Sequence, residues 1–199
     1  MFPFLAILSR MKYIERWALM RNSRPENLAE HSLEVALIAH MLATIANTRY
    51  HKTLDANRAA MIGLLHDSSE IITGDMPTPV KYANSYIQTA YKDVEHKAEQ
   101  SLVNTLPTDV RNVYQDLYCA NPNDADDVYL RRLVKAADKI SALIKCIDEA
   151  QSGNQEFITA EKSIRASVDE LAQALPEVRD FVEKFLPAYG LTLDQLIHS

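Results

Sequence analysis

Glycine and cysteine are both scarce in this chain. Four glycines and two cysteines occur among 199 residues, and the cysteines, Cys119 and Cys146, stand far apart. Without metal-ligand spacing they offer no thiolate site, and they read as buried or half-buried thiols in a reducing compartment. Prolines number only eight, few enough for long uninterrupted helices. No run approaches the roughly 18 consecutive apolar residues of a membrane span. The apolar opening from Met1 to Leu8 has no basic residues before it. Ser9-Arg10 cuts it short and no small-residue cleavage pattern follows, so it makes a poor signal peptide. An excess of positive charge is missing as well. The net charge of -6 argues against a binder of nucleic-acid polymers, although one local pocket can still be cationic for a small anion. These absences point to a cytoplasmic protein with no membrane span.

What is present is a helical pattern. Hydrophobic residues make up 47% of the chain, enough for one sizeable core. The expected fold class is all-α, a single domain over 1–199, with no alternation long enough for a sheet. A short helix is expected over 4–14, with 15–21 irregular. Asn27 with Glu30 three residues on forms a capping box, opening a helix to about 47 with Val35, Ile38, Leu42 and Ile45 as its apolar stripe. The next helix runs from about 55 to a cap at Gly74. Pro77 and Pro79 exclude helix from 74–80. Further helices follow at about 85–105, 108–119, 126–151, 155–174 and 177–186, with a short one at the end.

The residues with the most chemistry are His66 and Asp67, adjacent at the end of the apolar run Met61-Ile62-Gly63-Leu64-Leu65. At about 100° per residue His31 shares the core face of Val35 and Ile38, and Asp138 borders the Val134/Ala137 side of its helix. A single histidine in a core stripe is more often hydrogen-bonded to protein than to a metal. A single aspartate beside Lys139 is more often a surface partner. Together, four such groups beside apolar residues would share one divalent cation, which offsets the cost of burying carboxylates. Nitrogen and oxygen donors without sulfur suit manganese, cobalt, iron or magnesium, and zinc less distinctively.

A histidine, then His-Asp, then an aspartate on successive helices resembles the HD-domain metal-dependent phosphohydrolase superfamily. The resemblance is closer to its bacterial 5′-deoxynucleotidases. It is carried by Arg16-Trp17-Ala18-Leu19-Met20-Arg21-Asn22, Glu30-His31-Ser32-Leu33, His66-Asp67-Ser68-Ser69-Glu70, Gly74-Asp75-Met76-Pro77-Thr78-Pro79-Val80-Lys81 and Val134-Lys135-Ala136-Ala137-Asp138. It implies an HD-domain helical bundle, a homodimer, and hydrolysis of deoxynucleoside 5′-monophosphates with one divalent cation, cobalt, manganese or similar. His31, His66, Asp67 and Asp138 fill the ligand positions of the motif.

The resemblance also distributes roles around the cation. Arg16 would orient the phosphate through a bidentate fork, and Trp17 would crowd the carbon that carries a ribose 2′-hydroxyl. Asp67 touches substrate as well as metal. Asp75 would accept from the sugar 3′-hydroxyl, Thr78 would donate to phosphate or base, and Met76 and Pro77 would pack on the nucleoside. Glu70, one turn beyond His66, is a proton-transfer group that either positions water or protonates the departing sugar oxygen; the second role is slightly favoured. Two alternatives stand beside this reading. One is an HD phosphohydrolase for nucleoside triphosphates or cyclic nucleotides; the other is a non-catalytic helical binding module.

Overall fold

The computed structural model describes residues 1–81 and 83–198. Helices α1 (Phe4–Leu8), α2 (Leu28–Tyr50) and α3 (Ala56–Leu65) are followed by single turns α4 (Glu70–Thr73) and α5 (Thr78–Lys81). Then come α6 (Ser85–Asn104), α7 (Thr108–Tyr118), α8 (Ala125–Gln151), α9 (Ile158–Ala174), α10 (Pro176–Lys184) and α11 (Leu193–His198). Among the described residues the fold is all-α apart from one two-residue bridge, in which β1 (Glu15–Arg16) pairs antiparallel with β2 (Glu26–Asn27).

The capping box at Asn27 is present. Its side chain accepts from the Ala29 and Glu30 amides, and Glu30 accepts in return from the Asn27 amide. Two of the helix's unpaired donors are thereby satisfied, and α2 starts in a fixed direction. Its stripe of Val35, Ile38, Leu42 and Ile45 is buried with Leu133, Ala137 and Ile140 of α8 in one cluster that reaches Val168, Val178 and Phe181 of the late helices. The sequence assigned no chemistry to those late helices, and most of their large apolar residues serve this core.

Four expectations change. The helix expected from 55 to 74 breaks after Leu65: residues 66–69 turn, and Ser68 donates through both its amide and its hydroxyl to the Leu65 carbonyl. Thr78–Lys81 is a helical turn despite Pro79, because the first turn of a helix does not need the missing amide. Residues 4–14 divide into α1 and a 3-10 turn at Ser9–Tyr13. Cys119 is exposed rather than half-buried, whereas Cys146 is buried. In addition, α2 is long and apolar enough by length and composition to cross a membrane, with 56% of the relevant window buried inside this structure.

Helix α2 carries His31 and the end of α3 delivers His66, and a glycine lets the two helices approach. A Cβ at Gly63 would stand 3.1 Å from the Ala36 Cα and 3.3 Å from the Val35 carbonyl. Backbone atoms on both sides cannot swing away, so the helices themselves would have to separate. Gly63→Ala is therefore expected to destabilise the protein by about 1–3 kcal/mol, read as a melting temperature lowered by several degrees. An unchanged or raised melting temperature would show that the two helices have slack.

Candidate active site

Three elements converge at one point. His31 projects from the first turn of α2, His66 and Asp67 follow the last residue of α3, and Asp138 comes from the middle of α8. One ligand atom from each of the four lies within 4.8 Å of all the others. His31 Nε2 is 3.6 Å from Asp67 Oδ2 and 3.4 Å from Asp138 Oδ1, and His66 Nε2 is 2.9 Å from Asp67 Oδ2. Metal–ligand bonds of about 2.1 Å put neighbouring donors about 3 Å apart and opposite ones about 4.2 Å apart, so these spacings fit one cation.

The imidazoles are oriented from behind. His66 Nδ1 lies 2.7 Å from the Gly63 carbonyl, which can only accept, so Nδ1 carries the proton and Nε2 faces the cluster. His31 Nδ1 is 3.0 Å from Ser141 Oγ, and Ser141 donates to Glu34 Oε2 at 2.6 Å. Because Ser141 gives its hydrogen to Glu34, it accepts from His31, and again Nε2 is left free. Both Nε2 atoms are buried without a hydrogen-bond partner. Two orphaned imidazole nitrogens beside two carboxylates are the chemistry of a cation site.

The carboxylates are held ionised. Burial would raise Asp67, but the charge of His66 and the adjacent His31 imidazole keep it well below the usual carboxylate range. Asp138 behaves likewise: burial is outweighed by the adjacent His31 imidazole and by Lys139, whose Nζ is 3.1 Å from Oδ2. Without metal, burial opposes a charge on His66, yet Asp67 pushes its pKa up to about 9.

Arg16 reaches Asp67 at 3.5 Å and Glu26 at 3.7 Å, and its buried Nε has no hydrogen-bond partner. Burial disfavours its charge, but Glu26, Asp67, Asp138 and Asp75 together raise its pKa. It is a cation with donors to spare. Trp17 takes φ 58°, a left-handed conformation that costs a bulky residue on the order of 1–3 kcal/mol. Glu70 is 6% exposed with one oxygen unpartnered. Burial first, then Asp67 and Asp75, push it up to about 9. Asp75 is thus electrostatically close to both Glu70 and Arg16. Met76 and Pro77 are half-buried and Thr78 is exposed. Among the described residues no side-chain hydrogen bond links Asp75, Met76, Pro77 or Thr78 to the four-residue cluster. A cavity of about 280 Å³ also reaches His66 and Asp138, lined by Leu65, Glu99, Tyr118 and Lys135 and by none of the expected substrate-contacting residues.

With this geometry in view, likenesses to other proteins acquire meaning. A family model described as 5′-deoxynucleotidase YfbR-like matches residues 3–189. The chain belongs to this family. It is 43% identical to a 5′-deoxynucleotidase of Shewanella oneidensis over 96% of this chain and 95% of that one. It is 42% identical to the 5′-deoxynucleotidase YfbR of Escherichia coli over 97% and 94%. An HD-domain phosphohydrolase from Listeria innocua superposes with a TM-score of 0.78 at 22% identity, covering 98% of this chain and 95% of its own. A cyanophage S-2L HD phosphohydrolase, DatZ, described as bound to dA and one catalytic Zn2+, superposes at 0.59 with 19% identity and coverage of 92% and 95%. This member of the family has the HD-domain fold and a four-residue cluster suited to one cation.

Sequence reasoning missed Glu26, Glu34, Ser141 and Phe157. Ser141 carried a usable signal: it is one turn beyond Asp138 and is the one polar residue between Ile140 and Leu143. Glu26, in a two-residue strand, carried none.

Two outcomes are expected when cation binding to metal-free protein is followed by calorimetry. Binding must displace the proton from His66, whose pKa is raised to about 9, so affinity rises with pH between 6 and 8. Ser141→Ala removes the support behind His31 and weakens affinity by about 10–100-fold. An affinity indifferent to both pH and Ser141 would contradict the orientation of the two imidazoles.

Proposed function

We propose that this chain hydrolyses deoxyribonucleoside 5′-monophosphates to deoxynucleoside and inorganic phosphate. One divalent cation is held by His31, His66, Asp67 and Asp138. The convergence of two unpartnered imidazole nitrogens and two ionised carboxylates, in a chain of a 5′-deoxynucleotidase family, carries the reading. Cobalt or manganese matches the mixed nitrogen and oxygen donors without sulfur. When bound, the cation supplies charge neutralisation for the phosphate and a water acidified toward neutral pH.

The chain's own side chains do the rest. Arg16, with its spare buried donors, binds phosphate oxygens and orients the ester. Trp17 forms the wall against the sugar at C2′. Asp75 accepts from the 3′-hydroxyl, Met76 and Pro77 flank the nucleoside, and Thr78 donates to phosphate or base. Asp67 contacts substrate as well as the cation. Glu70 is protonated at neutral pH in the metal-free protein. Its buried carboxyl passes that proton to the 5′-oxygen of the departing sugar, which would otherwise leave as an alkoxide. A bound dication would offset the charge of Asp67, one of the groups that raise the Glu70 pKa, and so ease release of that proton.

The chain acts as a single domain over 1–199, consistent with the core cluster that draws on residues from 35 to 186. The working form is a homodimer in the cytoplasm. Leu33, Leu37 and Met41, four residues apart on α2, leave an exposed apolar stripe suited to a second copy. The two cysteines are unpaired, as a reducing compartment requires.

A phosphate-release screen of deoxy- and ribonucleoside monophosphates with Mn, Co, Mg and Zn tests the assignment. Release of phosphate from dAMP well above that from AMP is expected. Glu70→Ala should keep the cation bound while lowering kcat by about 10²–10⁴-fold. Near-normal turnover would remove Glu70 from the reaction, and release of triphosphate or diphosphate would move the substrate class. Light scattering at the mass of one chain would dispose of the dimer.

A further inference from the structure

Trp17 is held in its unusual backbone conformation from several directions. Its carbonyl accepts from the Met20 amide at 2.9 Å and from Asn22 Nδ2 at 3.2 Å. Its indole Nε1 donates to Glu26 Oε2 at 2.9 Å. Its ring lies 5.3 Å from that of Phe157, tilted by 59°, and Phe157 is fully buried. Glu26 has a second set of neighbours through its other oxygen. Oε1 is 3.7 Å from Arg16 Nε and 3.6 Å from His31 Nδ1. The bridge explains the convergence, because Arg16 and Glu26 are register partners across β1 and β2.

One carboxylate therefore touches the indole, the phosphate-orienting guanidinium and the back of a metal-side imidazole. An aromatic wall discriminates against a hydroxyl only while it cannot yield, and rejection of an added hydroxyl by an apolar surface reaches about 10²-fold. A wall free to swing by an ångström would lose most of that. We propose that Glu26 and Phe157 are the positioning residues that set the preference for deoxyribose over ribose: Glu26 pins the indole nitrogen and Phe157 backs the ring. The proposal rests on the reading of Trp17 as the sugar-facing wall.

The test measures kcat/KM for dAMP and for AMP in Glu26→Gln, Glu26→Ala, Phe157→Leu and Trp17→Ala. Glutamine keeps an acceptor for the indole but loses the charge facing Arg16. It should lower turnover of both nucleotides while retaining the deoxy preference. Glu26→Ala and Phe157→Leu should cut the dAMP-to-AMP ratio about tenfold or more, chiefly by lowering KM for AMP. A second readout does not depend on turnover. Trp17 is the sole tryptophan, so acrylamide quenching of its fluorescence should increase in Glu26→Ala and Phe157→Leu and stay near wild type in Glu26→Gln.

If Trp17→Ala keeps the deoxy preference, the reading of the wall itself fails. If Trp17→Ala loses the preference while Glu26→Ala and Phe157→Leu keep it, the wall stands and the clamp is overturned. Equal loss of activity toward both nucleotides in Glu26→Ala and Phe157→Leu, with quenching unchanged, also overturns it.

Discussion

Everything near the active site depends on two imidazole rings being turned the same way. In each, Nδ1 is committed to an acceptor behind the ring, the Gly63 carbonyl for His66 and Ser141 for His31. Each Nε2 then faces Asp67 or Asp138, where a cation would meet it. Neither orientation is local. Ser141 lies on α8 and Glu34 on α2, so the tautomer of His31 reports the packing of the two longest core helices. The cost of burying Asp67 and Asp138 is met only when α2, the end of α3 and α8 close on one point.

Much of this was legible in the sequence, and the reasons differ by element. The stripe on α2 and the long run that became α8 have helical periodicity over several turns, which a linear reading detects well. Asn27 and Glu30 announce the start of α2 through local chemistry alone. The four-residue cluster was readable because carboxylates and imidazoles among apolar neighbours need a joint explanation. Other features were hidden for physical reasons. A two-residue strand is too short to show alternation, so the pairing of Arg16 with Glu26 left no trace. The break after Leu65 depends on Ser68, whose hydroxyl also meets Tyr118 at 2.8 Å across 50 residues. Thr78–Lys81 shows that proline excludes helix interiors but not first turns. Roles expected of Met76, Pro77 and Thr78 rest on family resemblance, since these residues form no side-chain hydrogen bonds within the described chain.

Electrostatically the centre is a compromise between excess and need. Asp67, Asp138, Asp75, Glu26 and Glu70 surround one arginine, an acidic setting for an enzyme whose substrate is an anion. A dication at the four-residue cluster would reverse the local sign there and relieve this imbalance. In its absence protons occupy that role, on His66 and on Glu70. The carboxylates at this centre therefore call for a compensating charge, a cation or protons.

Helix α8 joins this centre to the 21–24 loop. Asp138, Ser141, Lys145 and Glu149 are spaced by three, four and four residues, so they line one side of the helix. Lys145 bonds the Arg24 carbonyl and Glu149, and Glu149 also accepts from the Ser23 amide at 2.8 Å and from Asn154 at 2.7 Å. The helix thus works as a ruler, with Asp138 of the cation cluster at one mark and the anchor of the 21–24 loop three turns along. Adding or deleting one residue between those marks would rotate one set by about 100° against the other. A change of length in this stretch would therefore part the two marks, whereas a change of side chain on its outer side would leave both in place.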